Sequence, residues 1–344
     1  MFLDIIIPQY KENDKLIKRA LDSINVQLGV DFSEIGIIII NDASDVIISD
    51  KLLKSYKKLN IKYLKNDKNL GAGLTRQRGI DESKAKYITF LDADDYLYGN
   101  AGLQLVIGCL KDTDADLVQT SFVGERYVDN QLVKVAFNAD YTKAWLHAKF
   151  IKKDFLLRND IRFSKELSNN FEDSYFCSLV TGFEFDKKKA INIDFPVYYW
   201  CYNLNSITRK ERKHHYFVDV YSDYIKCPSL VYEKLKDHNK YFADYYIKQA
   251  TCNLYGILMC DLFKDAELKE KKNNYEKEFI NFVNNHIDSF MDMNEEEFIK
   301  LYNEKIEALH QSLGIEMKFN NILEYFKEKN IIIKGWRIWL WMKF

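Results

Sequence analysis

Four short runs of apolar, mostly β-branched residues punctuate the first hundred residues, and the stretches between them carry a helical period. The runs are Leu3 to Pro8, Ile35 to Ile40, Ile61 to Leu64 and Tyr87 to Leu91. Leu16, Ile17, Ala20, Leu21 and Ile24 recur at three- and four-residue spacing, and Leu52, Leu53, Tyr56 and Leu59 do so less regularly. Such spacing puts apolar side chains on one helix face, whereas an unbroken β-branched run suits a strand buried on both sides. The alternation predicts an α/β domain on a mostly parallel sheet flanked by helices. Ligands in such sheets bind beyond the carboxyl ends of the strands. That gathers Gln9, Asn41 to Ser44, Asn66 to Asn69 and Asp92 to Asp95 around one candidate site.

Further along, Asp116 to Phe122 reads as a strand, Tyr127 to Val135 as a hairpin around Asp129-Asn130, and Pro196 to Tyr202 as an aromatic strand. After Thr208 the chain turns helical and lysine-rich, with amphipathic segments at Tyr216 to Lys236, Tyr241 to Phe263, Asn274 to Phe290 and Glu295 to Leu313. Prolines 8, 196 and 228 are expected at element boundaries. With 344 residues, 47% of them hydrophobic, the chain can bury a large core. A formal net charge of −1 gives no general attraction to nucleic acid. The six cysteines form no Cys-x-x-Cys pair and read as reduced thiols. With no leader-like start and no apolar run near the roughly 20 residues of a membrane span, a cytoplasmic protein is expected.

The most chemically loaded segment is Phe90-Leu91-Asp92-Ala93-Asp94-Asp95, where carboxylates crowd together after a strand. They repel one another unless they share a cation, and magnesium or manganese commonly binds through one or two carboxylates plus substrate phosphates. Read alone, the segment is equally a capping turn before a helix. Asn41-Asp42-Ala43-Ser44 ends another buried strand and could hydrogen-bond a base and ribose; a loop and cap explains it as well. In Asn69 to Ile80, Gly71 and Gly73 hold two positions of a dinucleotide fingerprint, but Arg76 occupies the third. A loop feeding a helix, with Arg76 reaching a charged phosphate, reads better. Arg78 reads as a surface charge. Glu172-Asp173 opens an apolar helix, as a cap or as a fixed general base.

In this order the segments resemble the family 2 glycosyltransferases with the GT-A fold. Ile5-Ile6-Ile7-Pro8-Gln9-Tyr10-Lys11 is similar to the family's opening Ile-Pro-Thr-Tyr-Asn. Asn41 to Ser44 is similar to its Asp-Asp-Gly-Ser, and Asn69 to Ile80 to its Asn-x-Gly-x-x-x-Ala-Arg-Asn-x-Gly-Ile. Leu91 to Asp95 resembles the Asp-x-Asp motif, Trp145 to Leu156 the Trp-x-Lys-Leu-Tyr-Arg-Arg-x-Phe-Leu segment, and Tyr202 to Thr208 the closing Tyr-x-x-x-x-Ser-Ile-Thr. Gln9, Lys11, Asn41 and Gln77 replace the family's Thr, Asn, Asp and Asn, which leaves the base and sugar open.

The resemblance implies a GT-A domain over residues 1–208, with a donor half at 1–98 and an acceptor half at 99–208, followed by a helical region at 209–344. It implies a nucleotide-sugar donor, a UDP-sugar by the family's uracil contact at Asp42, with Pro8, Tyr10, Arg76 and Asp92 also on the donor. Asp94 would hold a divalent metal, Mn2+ or Mg2+. Of the pair Glu172-Asp173, Asp173 would be the base of an inverting transfer to a hydroxyl on a glycan, a lipid-linked or another acceptor. Trp145, Lys149 and Trp200 are candidates for the acceptor groove, because aromatic faces stack on sugar rings, and equally for ordinary core and surface positions. The C-terminal run Ile331 to Phe344 joins three tryptophans to basic residues and would suit either peripheral membrane contact or docking on the helical region. The rival reading is a catalytically silent carbohydrate-binding or scaffold protein on the same fold, against which intact Asp94 and Asp173 speak.

Overall fold

The apolar runs become the parallel centre of a nine-stranded sheet. In the computed structural model, β1 (Leu3–Gln9), β2 (Ile35–Asn41), β3 (Asn60–Lys65) and β4 (Tyr87–Phe90) lie in the order β3-β2-β1-β4, each pair parallel. The structure describes residues 1–128, 131–140, 142–167, 170–184, 189–203, 220–259, 266–313, 321–334 and 336. The chain divides into two compact units, Met1–Lys210 and Glu211–Phe344.

In the first unit, α1 (Asp14–Asn25) starts on the Asn13 side chain, which accepts from the Lys15 and Leu16 amides, and buries Ile17, Ala20, Leu21 and Ile24. The helix α2 (Asp50–Ser55) is shorter than its periodicity predicts. Tyr56 leaves it so that its hydroxyl donates to Asp22 Oδ1 at 2.7 Å, and a short helix gains too little from one more turn to oppose that anchor. Next, α3 (Ala72–Glu82) presses on β1 through Gly79, where an added Cβ would stand 2.3 Å from Ile6 Cγ2. Only glycine permits that approach.

Beyond β4 the sheet becomes mixed. Strand β5 (Tyr96–Leu97) and helix α4 (Gly102–Thr113) precede β6 (Leu117–Val128), β7 (Gln131–Phe137), β8 (Lys149–Lys152), α5 (Lys153–Arg158), α6 (Glu172–Glu184) and β9 (Ala190–Trp200). Strand β8 runs antiparallel between β4 and β6; β9 lies parallel to β6 on its other edge, and β5 pairs antiparallel with β9. The expected hairpin is a longer β6 folded onto β7, from Phe122↔Phe137 to Val128↔Gln131; its turn, Asp129-Asn130, lies outside the described residues. Strand β9 begins at Ala190, earlier than predicted, and Pro196 falls at a register shift within it. An irregularity is where a strand tolerates a residue with no N–H.

The second unit contains α7 (Tyr221–Leu235), α8 (Lys240–Met259), α9 (Ala266–Asn285), a 3-10 turn (Ile287–Phe290), α10 (Glu295–Leu313) and α11 (Ile322–Glu328). Tyr255, Phe279, Phe290, Phe298, Ile306 and Phe326 build its core. Pro228 lies inside α7 rather than at a boundary: its buried ring packs in the unit, so packing outweighs the backbone bond it forfeits. Ile331, Ile333 and Trp336 are buried in this core, and Trp336 Nε1 donates to the Met293 carbonyl at 2.7 Å. The rest of the tail, with Trp339 and Trp341, lies outside the described residues. Among the described residues no helix is long and apolar enough to cross a membrane, and no disulfide joins Cys109, Cys177, Cys201, Cys227 or Cys252.

Candidate active site

The loops leaving β1, β2 and β3 are tied to one another by polar side chains. Gln9 Nε2 donates to the carbonyls of Glu12 (2.9 Å) and Val46 (3.1 Å). Asn41 Nδ2 donates to Val46 O at 2.9 Å, and its Oδ1 accepts the Ser44 amide at 2.6 Å. Lys11, at φ 71°, donates its N–H to Ser44 Oγ. Two of the residues that depart from the family pattern, Gln9 and Asn41, thus hold these loops in shape. Asp42 is also spent on the protein. Its Oδ1 accepts from Asn66 Nδ2 and the Leu70 amide, each at 2.8 Å, and its Oδ2 from the Gly71 amide at 2.9 Å. It latches the loop into α3, whose cap Gly71 adopts φ 82°. Arg78 Nη1 reaches the Lys65 carbonyl (2.7 Å) and Asn66 Oδ1 (2.6 Å), so it clasps this loop instead of pointing free. Pro8 lies in β1 opposite Ile40, and Tyr10 is exposed beside it.

The carboxylates after β4 meet three different fates. Asp95 is buried, with Oδ2 accepting the Tyr198 hydroxyl at 2.6 Å and Oδ1 the Cys201 amide at 2.8 Å. That residue fastens the turn to β9. Asp92 Oδ1 accepts from Arg76 Nη2 at 2.7 Å. Asp94 accepts from Asn203 Nδ2 at 2.8 Å, and its main-chain carbonyl accepts from Arg19 Nη2. Burial raises the Asp94 carboxyl above its ordinary value, the Asn203 hydrogen bond lowers it, and neighbouring Asp92 raises it again. Glu12 faces the same place: burial pushes it up to about 7, against the Tyr10 amide that donates to it and with the nearby Asp94 and Asp92 charges adding to the rise.

Arg76 is the centre of the arrangement. Carried on α3 and buried, it places Nη2 on Asp92 and Nη1 on Asp173 Oδ1 at 2.9 Å, with Glu172 Oε1 3.7 Å from Nη1. Sequence reading sends Arg76 to a donor phosphate; here its two terminal nitrogens bind carboxylates from opposite halves of the domain. Burial opposes its charge, but Asp173, Asp92 and Glu172 together hold it protonated. Glu172 is raised by burial and by Asp173, with Arg76 pulling it down. Asp173 is likewise raised by burial against the pull of Arg76. The first turn of α3 admits Glu172 closely because residue 73 is glycine: a Cβ there would lie 2.8 Å from Glu172 Cγ. Asp173 keeps 38% of its side chain exposed. The guanidinium fixes its Oδ1.

The acceptor candidates separate. Trp145 packs edge-on against Phe122 (5.0 Å between centroids) and is half-buried, and Trp200 stacks on His147 at 5.7 Å. Lys149, a candidate for the acceptor groove, lies in the core instead. It is fully buried in β8, its ammonium donates to Gln119 Oε1, and burial lowers its pKa. A lysine flanked by apolar strand residues satisfies its charge inward, and an isolated motif does not reveal that. Sequence reasoning missed Glu12, Asn203 and the Tyr198 hydroxyl. Glu12 adjoins a matched segment and Asn203 lies within one, at a position the motif leaves open, but nothing in their spacing shows which way their side chains point.

A parallel sheet whose carboxyl edge carries an acidic turn and a facing carboxylate defines the class of GT-A sugar-transferring enzymes. Glycosyl transferase family 2 matches residues 4–178 of the chain, which belongs to that family. The chain is 27% identical over 296 residues to a GalNAc(5)-diNAcBac-PP-undecaprenol beta-1,3-glucosyltransferase of Campylobacter jejuni, covering 78% of this chain and 89% of that one. It is 25% identical over 335 residues to the poly(ribitol-phosphate) beta-N-acetylglucosaminyltransferase TarP of Staphylococcus aureus, covering 90% and 95%. The solved structure of S. aureus TarS 1-349 in complex with UDP matches with a TM-score of 0.62 at 18% identity, covering 93% of this chain and 97% of that one. That likeness extends the shared fold through the helical unit.

Proposed function

We propose that this glycosyltransferase moves a sugar from a nucleoside-diphosphate donor, a UDP-sugar, to a hydroxyl of a glycan or lipid-linked glycan, with inversion at the anomeric carbon. The observation that carries the reading is the Arg76 bridge, which sets the acidic turn and Asp173 side by side although 81 positions separate Asp92 from Asp173. The UDP bound to TarS and the acceptors in the relatives' names support the donor and acceptor classes. The GT-A domain takes in the first 208 residues.

Asp173 takes the proton of the acceptor hydroxyl on Oδ2. The acceptor oxygen then bonds to the anomeric carbon as the bond to the diphosphate breaks, and that electron pair leaves on the diphosphate. One base and one displacement give inversion. Arg76 keeps Asp173 ionised and aimed, and Glu172 packs beside it. Tyr10 and Pro8 border the donor, Asp92 faces its ribose, and Asp42 acts by holding the loop from Asn66 to Gly71. Trp145 and Trp200 flank the acceptor side.

The residues suit a divalent cation, Mn2+ or Mg2+. Among the described residues no cluster of three or more histidine, cysteine or acidic side chains forms a cage, yet an ion shared with a diphosphate needs only one or two carboxylates. Asp94, raised by burial and like charge, is the donor such an ion would relieve. When bound, the cation neutralises charge on the leaving diphosphate. The test is manganese-dependent release of nucleoside diphosphate from a panel of UDP-, GDP- and TDP-sugars, with Asp94→Ala alongside. Release confined to one donor and lost in the variant supports the reading; no release with any donor points to the silent scaffold.

A further inference from the structure

The end of β9 is sewn to the acidic turn. The Tyr198 hydroxyl donates to Asp95 Oδ2 at 2.6 Å and accepts the Asp92 amide at 3.2 Å, and the Cys201 amide donates to Asp95 Oδ1. These bonds complete Asp95 and remove it from chemistry. A further stitch differs in kind: Asn203 Nδ2 donates to Asp94 Oδ2 at 2.8 Å, so a side chain three residues past β9 meets the carboxylate that would hold the cation.

Neighbouring ligands on an octahedral Mg2+, each at 2.0–2.1 Å, stand about 3.0 Å apart. The Asn203–Asp94 separation already has that spacing. A half-turn of the terminal amide torsion, which is broad and two-fold, exchanges nitrogen for oxygen without moving the backbone. Without a cation the amide N–H faces the carboxylate and offsets its charge; with one, the same position can present a carbonyl oxygen, a hard donor suited to Mg2+ or Mn2+. The other carboxylates of the turn compete poorly. Asp95 has spent both oxygens, and Asp92 carries the Arg76 guanidinium, whose positive charge repels a second cation.

We propose that Asn203 supplies, through Oδ1, a second protein oxygen to the cation on Asp94, changing from hydrogen-bond donor to ligand as the ion arrives. The inference rests on the reading of Asp94 as the cation's carboxylate. The experiment titrates Mn2+ into the full chain in the presence of UDP and follows free Mn2+ by electron paramagnetic resonance, for wild type, Asn203→Ala, Asn203→Asp and Asp94→Ala. Asn203→Ala is expected to weaken Mn2+ binding about tenfold. Asn203→Asp, which retains an oxygen and adds charge, should bind at least as tightly as wild type. If Asn203 serves only as an N–H donor that offsets the Asp94 charge, its removal leaves Mn2+ binding unchanged or tighter, so wild-type or tighter binding by Asn203→Ala overturns the proposal, as does weaker binding by Asn203→Asp than by Asn203→Ala. Should the alanine variant fail to fold, the near-isosteric Asn203→Leu, with neither donor nor acceptor, takes its place: binding about tenfold weaker supports the assignment and wild-type binding sinks it. Loss of binding in Asp94→Ala with both Asn203 variants unaffected would refute Asn203 and spare Asp94; unchanged binding in Asp94→Ala would refute the underlying reading.

Discussion

The turn after β2 and the turn after β4 both present aspartates at the carboxyl edge of the sheet, and the protein uses them in opposite ways. Asp42 takes hydrogen bonds from Asn66, Leu70 and Gly71. Asp94 receives an amide N–H from Asn203, and burial, followed by the neighbouring Asp92 charge, raises its pKa. The first is a structural latch satisfied by its own protein, and the second a site that a cation would stabilise. Position after a strand does not separate them; the accounting of hydrogen bonds does.

Several measurements would break or sharpen that contrast. The largest effect is expected at Asp173: Asp173→Asn should lower transfer by about 10²–10⁴-fold, the usual contribution of a positioned base. UDP affinity should stay near wild type in a binding titration, and full transfer by the variant would end Asp173's role as base. Next comes Arg76→Met, which leaves the Asp92, Asp173 and Glu172 charges without their shared cation. Breaking a buried pair costs about 3–5 kcal/mol, and because Asp92 and Asp173 remain more than a third exposed the expected loss is about 2–4 kcal/mol in urea unfolding. A loss below about 1 kcal/mol would show that the bridge is weak.

The direct test of the two turns pairs Asp42→Ala with Asp94→Ala. The first orphans buried amides and should cost about 2 kcal/mol of stability. The second relieves like-charge crowding and should stay within about 0.5 kcal/mol, while abolishing metal-dependent donor cleavage. Equal destabilisation by both would erase the distinction. A smaller effect is expected from Gly73→Ala, whose Cβ must displace Glu172; transfer should fall several-fold, about 1 kcal/mol in barrier, with the unfolding midpoint little changed.

The smallest lies far from the site, at Asp114, an exposed carboxylate between Lys152 and Lys86. Hydrogen bonds from those lysines hold its pKa below the ordinary value. Its stabilisation is therefore present above the unfolded value near 4 and is lost as pH falls through the lower folded value. Asp114→Asn suits the left-handed backbone there (φ 50°) and isolates the charge. Solvent screening keeps the expected loss at neutral pH below about 1 kcal/mol, and the difference from wild type should vanish in unfolding measurements carried well into acid. A pH-independent difference would assign the effect to something other than the ion pairs.

Much of the fold was legible because its signals are local. The β-branched runs gave β1 to β4 to within a residue or so at each end, and α1 followed its apolar stripe. Where the reading missed, a distant partner intervened: Asp22 drew Tyr56 out of α2, and packing within the second unit accommodated Pro228 inside α7. At the site, Asp94, Arg76 and Glu172-Asp173 stood out as motifs, but a motif does not show a side chain's partners: Arg76 bridges two carboxylates and the acceptor-groove candidate Lys149 is buried on Gln119.

By itself the sequence determined which segments become strands and helices and which residue types crowd the sheet's carboxyl edge, because the periods of strand and helix are written in neighbouring residues. Only the tertiary structure decided which carboxylate is a latch and which ones stand open to the proposed base and cation roles. That choice depends on which donors reach each oxygen, and the amide that completes Asp95 comes from Cys201, 106 residues further along the chain.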